Sequence, residues 1–67
     1  MRIILNDNPV DLPKNVTTVK DFVNWRQIPS QGTAIAINDK LLKQDLWPVT
    51  AFEDLDRITI ISAAYGG

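Results

Sequence analysis

Arg57-Ile58-Thr59-Ile60-Ile61-Ser62 runs straight into Ala63-Ala64-Tyr65-Gly66-Gly67, and the reading of this stretch decides the fold. Its first half is rich in β-branched residues and reads as a strand. Its second half reads as a tail, expected to be flexible from about residue 63, that carries a free α-carboxylate on two glycines. Neither glycine has a Cβ, so the backbone can thread a narrow slot in almost any conformation. Asp54-Leu55-Asp56 is the turn that delivers the chain into this last strand.

Working outward, Met1 to Asn6 reads as a first strand with Met1, Ile3 and Leu5 on one face and Arg2, Ile4 and Asn6 on the other. The dense turn signal Asn6-Asp7-Asn8-Pro9 follows, and Val10-Asp11-Leu12 closes a hairpin that Pro13 ends. Thr17 or Thr18 is placed to cap a helix through Arg26, with Asp21 in the first turn, where the helix dipole favours negative charge. Val19, Phe22 and Val23 give that helix one apolar face, which Val16 and Ile28 extend. Trp25 lies off the stripe and reads as a rim residue. After Pro29-Ser30-Gln31-Gly32, a strand Thr33–Ile37 turns Ile35 and Ile37 inward and Ala34 and Ala36 outward. Lys40–Lys43 reads as a short, lysine-guarded edge strand, and Gln44–Pro48 as a helical turn packing Trp47 beneath it.

The order strand, strand, helix, strand, short strand, strand describes an α+β roll: a mixed sheet of four to five strands with one main helix packed on one face. In that roll the last strand lies parallel to the first at the centre of the sheet. Ile4, Ala34, Ala36, Thr59 and Ile61 then share the face away from the helix, an apolar surface leading to the tail. Residues 1–67 are expected to form a single domain, and a chain this short buries only about 60% of its unfolded surface.

The chain has no cysteine and no histidine. This removes disulfides, thiolate metal sites, thiol nucleophiles and a histidine base together. A net charge of -1 with scattered lysines and arginines lacks the basic stripe a nucleic-acid partner requires. No signal peptide or membrane-length apolar run is present, so the cytoplasm is the expected location. The pair Asp54 and Asp56, which Asp7 or Asp11 joins only if the fold brings them close, reads as turn capping and not as a metal site. Gly32 stands alone, so no phosphate-binding loop is present. No internal group looks catalytic. The terminal carboxylate remains, and it is a poor acyl donor until another protein activates it, most simply as an acyl-adenylate.

The chain resembles the ubiquitin-like β-grasp sulfur carriers of the ThiS/MoaD family, and ThiS most closely, over essentially its whole length. The residues that carry the resemblance are MRIILND, TTVKDFV, AIAIND, Leu46-Trp47, DLD before RITII, and the final GG. The resemblance implies a carrier rather than an enzyme, with no bound cofactor or metal. It further implies that a ThiF-like enzyme would adenylate Gly67 with ATP, that a persulfide relay would convert it to a thiocarboxylate, and that a ThiG-like thiazole synthase would accept the sulfur. It assigns Gly67 as the reacting residue, Gly66, Tyr65 and Ala64 as the tail beside it, and Ile4, Ala34, Ala36, Thr59 and Ile61 as the docking patch. Molybdopterin-type carriers, which tend to be longer, and ubiquitin-like modifiers or binding modules are the alternatives. Three positions depart from the family pattern. Leu55 stands where glycine is usual, so its backbone either avoids positive φ or is strained; Lys43-Gln44 replaces an expected Pro-Arg; and Tyr65 replaces a small residue.

Overall fold

The computed structural model describes residues 1–62 of the chain. Five strands form one sheet: β1 Arg2–Leu5, β2 Asn8–Asp11, β3 Thr33–Ile37, β4 Lys40–Leu42 and β5 Arg57–Ser62. Among the described residues a single α-helix, α1 Val19–Trp25, packs on one face, and a 3-10 turn spans Gln44–Val49. The strand order is β2-β1-β5-β3-β4. β5 sits in the middle, parallel to β1 and antiparallel to β3, as the sequence pattern requires.

The first hairpin is tighter than the sequence implies. Asn6 and Asp7 alone make the turn, with φ of 46° and 71°, and Asn8 falls directly opposite Leu5. A two-residue turn with both residues left-handed matches the twist of the flanking strands. β2 therefore begins at Asn8 and not at Val10, and it takes in Pro9. The Leu12 amide donates to the Met1 carbonyl, which fixes the alternation and turns the Pro9 nitrogen away from β1. On an edge strand the missing N–H then costs no ladder bond.

Local chemistry sets α1. Thr18 caps it in an extended conformation; the Asp21 amide donates to Thr18 Oγ1, and the Thr18 amide donates back to the Asp21 carboxylate, both at 3.1 Å. This reciprocal box satisfies two amides that a helix start leaves unpaired. The segment after the 3-10 turn is stitched to the same place, since the Val19 amide donates to the Thr50 carbonyl and the Phe52 amide to the Thr17 carbonyl.

The core lies between α1 and the inner face of the sheet. Ile3 and Leu5 of β1, Ile35 of β3 and Ile58 of β5 meet Val19, Phe22 and Val23 of the helix. Phe52 closes one side with its ring edge-on to Phe22 at 5.7 Å, a favourable aromatic geometry. Trp47 is 2% exposed, and its indole N–H points to the Leu42 carbonyl at 3.4 Å. Thr33 is a buried polar residue, and its hydroxyl donates to the Pro29 carbonyl.

Candidate functional site

β5 alternates faces along its length, and its pairing shows which side chains share the outer face. Ala36 is opposite Thr59, Ala34 opposite Ile61, and Ile4 beside Arg57. Ile4, Ala34, Ala36, Thr59 and Ile61 therefore lie together on the side away from the helix. Ile4, Ala34 and Ala36 are half-buried by their neighbours, while Thr59 and Ile61 are exposed. The tail residues Ala64, Tyr65, Gly66 and Gly67 lie outside the described residues.

The structure adds Leu41 to this surface. It is opposite Ala36 and 70% exposed, a solvated leucine in the middle of a strand. The signal was present in the alternation of Lys40-Leu41-Leu42: Leu42 is half-buried beside the core, so Leu41 points the other way.

Two ion pairs bound the surface at the end where β5 begins. Arg2 Nε meets Asp11 at 2.8 Å on the β2 side, and Arg57 meets Asp39 at 3.1 Å on the β4 side. The Arg2 guanidinium holds the Asp11 carboxyl below its ordinary value, first through their hydrogen bond and then through its charge. Both pairs are solvent-exposed and add little stability. They instead divide the outer face into a charged end and an apolar end, and the apolar end is the one from which the sequence continues to Gly67.

At that end β1 stops before β5 does. Asn6 turns away, but its side-chain carbonyl Oδ1 accepts the Ile60 amide at 3.0 Å, where a backbone carbonyl would stand if β1 continued. Asn8 in turn donates its side-chain amide to the Asn6 carbonyl at 3.1 Å. Side chains thus finish the β1–β5 ladder. No sequence pattern announces this contact, because it joins residues 54 positions apart.

At the opposite end, Asp54 and Asp56 act as turn caps. Asp54 Oδ1 accepts the Arg2 amide at 3.1 Å, and Asp56 accepts the Glu53 amide at 2.8 Å and the Asn38 side-chain amide at 3.0 Å. Among the described residues no three acidic side chains gather as a metal site. Leu55 between them adopts φ of 68°. Its amide donates to the Arg2 carbonyl at 2.6 Å, so the turn is fastened to β1 and the leucine is held left-handed at a cost of about 1–2 kcal/mol. Of the two outcomes open at this position, the strained one holds.

On the helix side, an open groove of about 310 Å³ is lined by Asn15, Val16, Asp21, Asn24 and Trp25. Its carboxylate is already engaged: the amides of Thr17 and Thr18 donate to Asp21 and hold its pKa below the ordinary carboxylate value. Trp25 is a rim residue, 40% exposed, with its ring 6.1 Å from Phe22 and the Arg26 guanidinium 5.6 Å above it. Among the described residues, no helix is long and apolar enough to cross a membrane.

A mixed five-stranded sheet grasping one helix, with its first and last strands parallel at the centre, is the ubiquitin-like β-grasp architecture. The crystal structure of the thiamine biosynthesis protein ThiS from Geobacter metallireducens has the same fold, with a TM-score of 0.83 at 16% identity and all of both chains covered. The sequence pattern of the ThiS family matches residues 3–67. The chain belongs to that family, and membership supports a sulfur-carrier role in thiamine biosynthesis. No curated protein matches the sequence.

Proposed function

We propose that this chain carries sulfur for thiazole formation as a thiocarboxylate on Gly67. The observation that carries the reading is the extent of the family match, which runs through Gly67, beyond a described strand Arg57–Ser62 that borders an apolar outer face. A scaffold without thiol or imidazole leaves the carboxylate as the group worth presenting.

In this reading a ThiF-like enzyme binds ATP and places its α-phosphate against the Gly67 carboxylate. A carboxylate oxygen attacks phosphorus, pyrophosphate leaves, and the acyl-adenylate has AMP as a good leaving group. A persulfide sulfur on a relay protein then attacks the glycyl carbonyl and expels AMP. A thiol cleaves the S–S bond, leaving the thiocarboxylate on Gly67 and a disulfide on the donor side. A ThiG-like synthase accepts the sulfur. Catalytic groups belong to the partners, and this chain contributes a slim acyl group at Gly66-Gly67 and a docking surface. That surface is Ile4, Ala34, Ala36, Thr59 and Ile61, with Leu41 beside them. Tyr65 requires the receiving channel to widen two residues before the reacting carbon.

Intact-mass spectrometry of the protein from its native host, grown without thiamine, tests this. A mass rise matching replacement of one oxygen by sulfur is expected, and it disappears when Gly67 is deleted, while the circular dichroism spectrum is unchanged. A terminus that stays unmodified throughout thiamine starvation overturns the reading.

A further inference from the structure

We propose that the open edge of β5 at Ile60–Ser62 is a strand-addition site: the enzyme that takes the terminal carboxylate lays an extended segment of its own backbone beside these residues, in the lane that β1 vacates. The proposal rests on the carrier reading above and specifies how the partner grips the root of the tail.

The pairing geometry defines the edge. The Asn38 amide donates to the Arg57 carbonyl, and the β3–β5 register places Ala36 opposite Thr59 and Ala34 opposite Ile61. In an antiparallel ladder, directly bonded pairs alternate with unbonded ones. Odd-numbered residues of β5 therefore bond to β3, and Ile58, Ile60 and Ser62 turn their N–H and C=O groups to the β1 side. There the ladder ends early. The Asn6 amide donates to the Ile58 carbonyl, and the Ile60 amide is taken by the Asn6 side chain. Beyond this point the β1–β5 register has no partner residue. The Ile60 carbonyl and the Ser62 N–H and C=O face the vacated lane, and no described protein group bonds to them.

Three features mark the edge as a place for a partner. The groups are spaced as a strand requires, and adding a strand to such an edge gives affinity through main-chain bonds. The Asn6 side chain closes the ladder against further growth of β1, so among the described residues no strand pairs with β5 beyond Ile60 on this side. Five residues follow Ser62, and an extended span of that length covers at most about 17 Å. An enzyme that holds Gly67 in an active site must therefore have its own chain beside Ser62. Main-chain pairing at this root asks nothing of side-chain identity, and so it fits a partner that also has to accommodate Tyr65.

The test uses the full 67-residue chain made by chemical synthesis, with Ser62 N-methylated, and the Ser62→Pro variant made by expression. Each removes the Ser62 N–H, a donor that does not serve β3, and the N-methylated chain keeps the serine hydroxyl that the proline variant loses. The ThiF-like enzyme of the same host is the probe, read by ATP–pyrophosphate exchange. Both variants are expected to keep slow amide exchange at Thr59 and Ile61, which reports an intact β3–β5 ladder, and to lose roughly tenfold in kcat/KM, about one main-chain hydrogen bond. The Ser62 amide of the unmodified chain is expected to exchange more slowly once the enzyme is added. Unchanged kcat/KM in both variants, with unchanged Ser62 exchange, overturns the proposal and leaves the carrier reading standing. Failure of the enzyme to use even the unmodified chain overturns the carrier reading and this proposal with it. Ser62 exchange that slows in the isolated chain as its concentration rises assigns the edge to a second copy and overturns the proposal.

Discussion

Three residues apart on β5, Ile58 is 1% exposed and Ile61 is 53% exposed. Ile58 packs with Ile3, Leu5, Ile35 and Phe22 in the core, whereas Ile61 meets Ala34 on a face that the helix does not cover. The inner face must fill a volume, and each of its side chains is held by its neighbours. The outer face is under a weaker demand, yet it keeps Ile61 and Leu41 largely exposed to solvent. Exposed apolar residues gathered on one surface mark a place of interaction. In the carrier reading proposed above, the same strands carry two instructions, one for folding and one for recognition.

Mutations on the two faces should separate these instructions. Phe22→Ala removes a fully buried ring between α1 and the sheet and is expected to cost about 3–5 kcal/mol, a large share of what a domain this small has in reserve. Urea denaturation measures it, and a cost below about 1 kcal/mol would break the contrast between faces. Ile61→Asp is expected to change stability by at most about 0.5 kcal/mol and to raise KM for the adenylating partner at least about tenfold. Normal kinetics in that variant would remove the outer face from the interface.

Smaller effects sharpen the comparison at its margins. Thr18→Ala should lose about 1 kcal/mol through the cap. Leu55→Gly should gain up to about 1 kcal/mol, since relief of the left-handed leucine outweighs the added freedom of glycine in the unfolded chain. The Leu55 side chain is exposed, so little packing is lost. Both are read by denaturant midpoint at constant slope. The Asp21 carboxyl titrates below its ordinary value of 3.8 because the Thr17 and Thr18 amides donate to it. A depressed folded pKa gives a contribution that is fully present above pH 3.8 and is lost as pH falls through the folded value. Stability relative to Asp21→Asn should therefore be constant above about pH 5 and decline below the ordinary carboxylate range.

Most of the fold was legible because its signals are local. The i, i+3, i+4 spacing of Val19, Phe22 and Val23, the Thr18–Asp21 box and the turn at Asn38-Asp39 each lie within a few residues. The outer face was legible too, since alternation in β3 and β5 follows once the strands are identified. What escaped depends on distant partners. β2 starts at Asn8 because a two-residue turn sets its register. Leu55 is left-handed because the Arg2 carbonyl captures its amide, and Asn6 ends the central ladder because Ile60 lies within reach. Leu41 was within reach of the sequence, and only the face assignment of a three-residue strand was missing.

The central position of β5 also governs when this protein can exist. Of the described strands β1 comes earliest in the chain and β5 latest, and each needs the other to become part of a closed sheet. During synthesis the β1–β2 hairpin and α1 can form as they emerge, but the sheet waits for Ser62, and closing so long a loop is slow. The sheet therefore closes only when Arg57–Ser62 is available to pair, after the hairpin and helix have had time to form. In the carrier reading proposed above, a partner that recognises the closed sheet passes over chains in which β5 has not yet joined β1, so folding itself acts as a checkpoint.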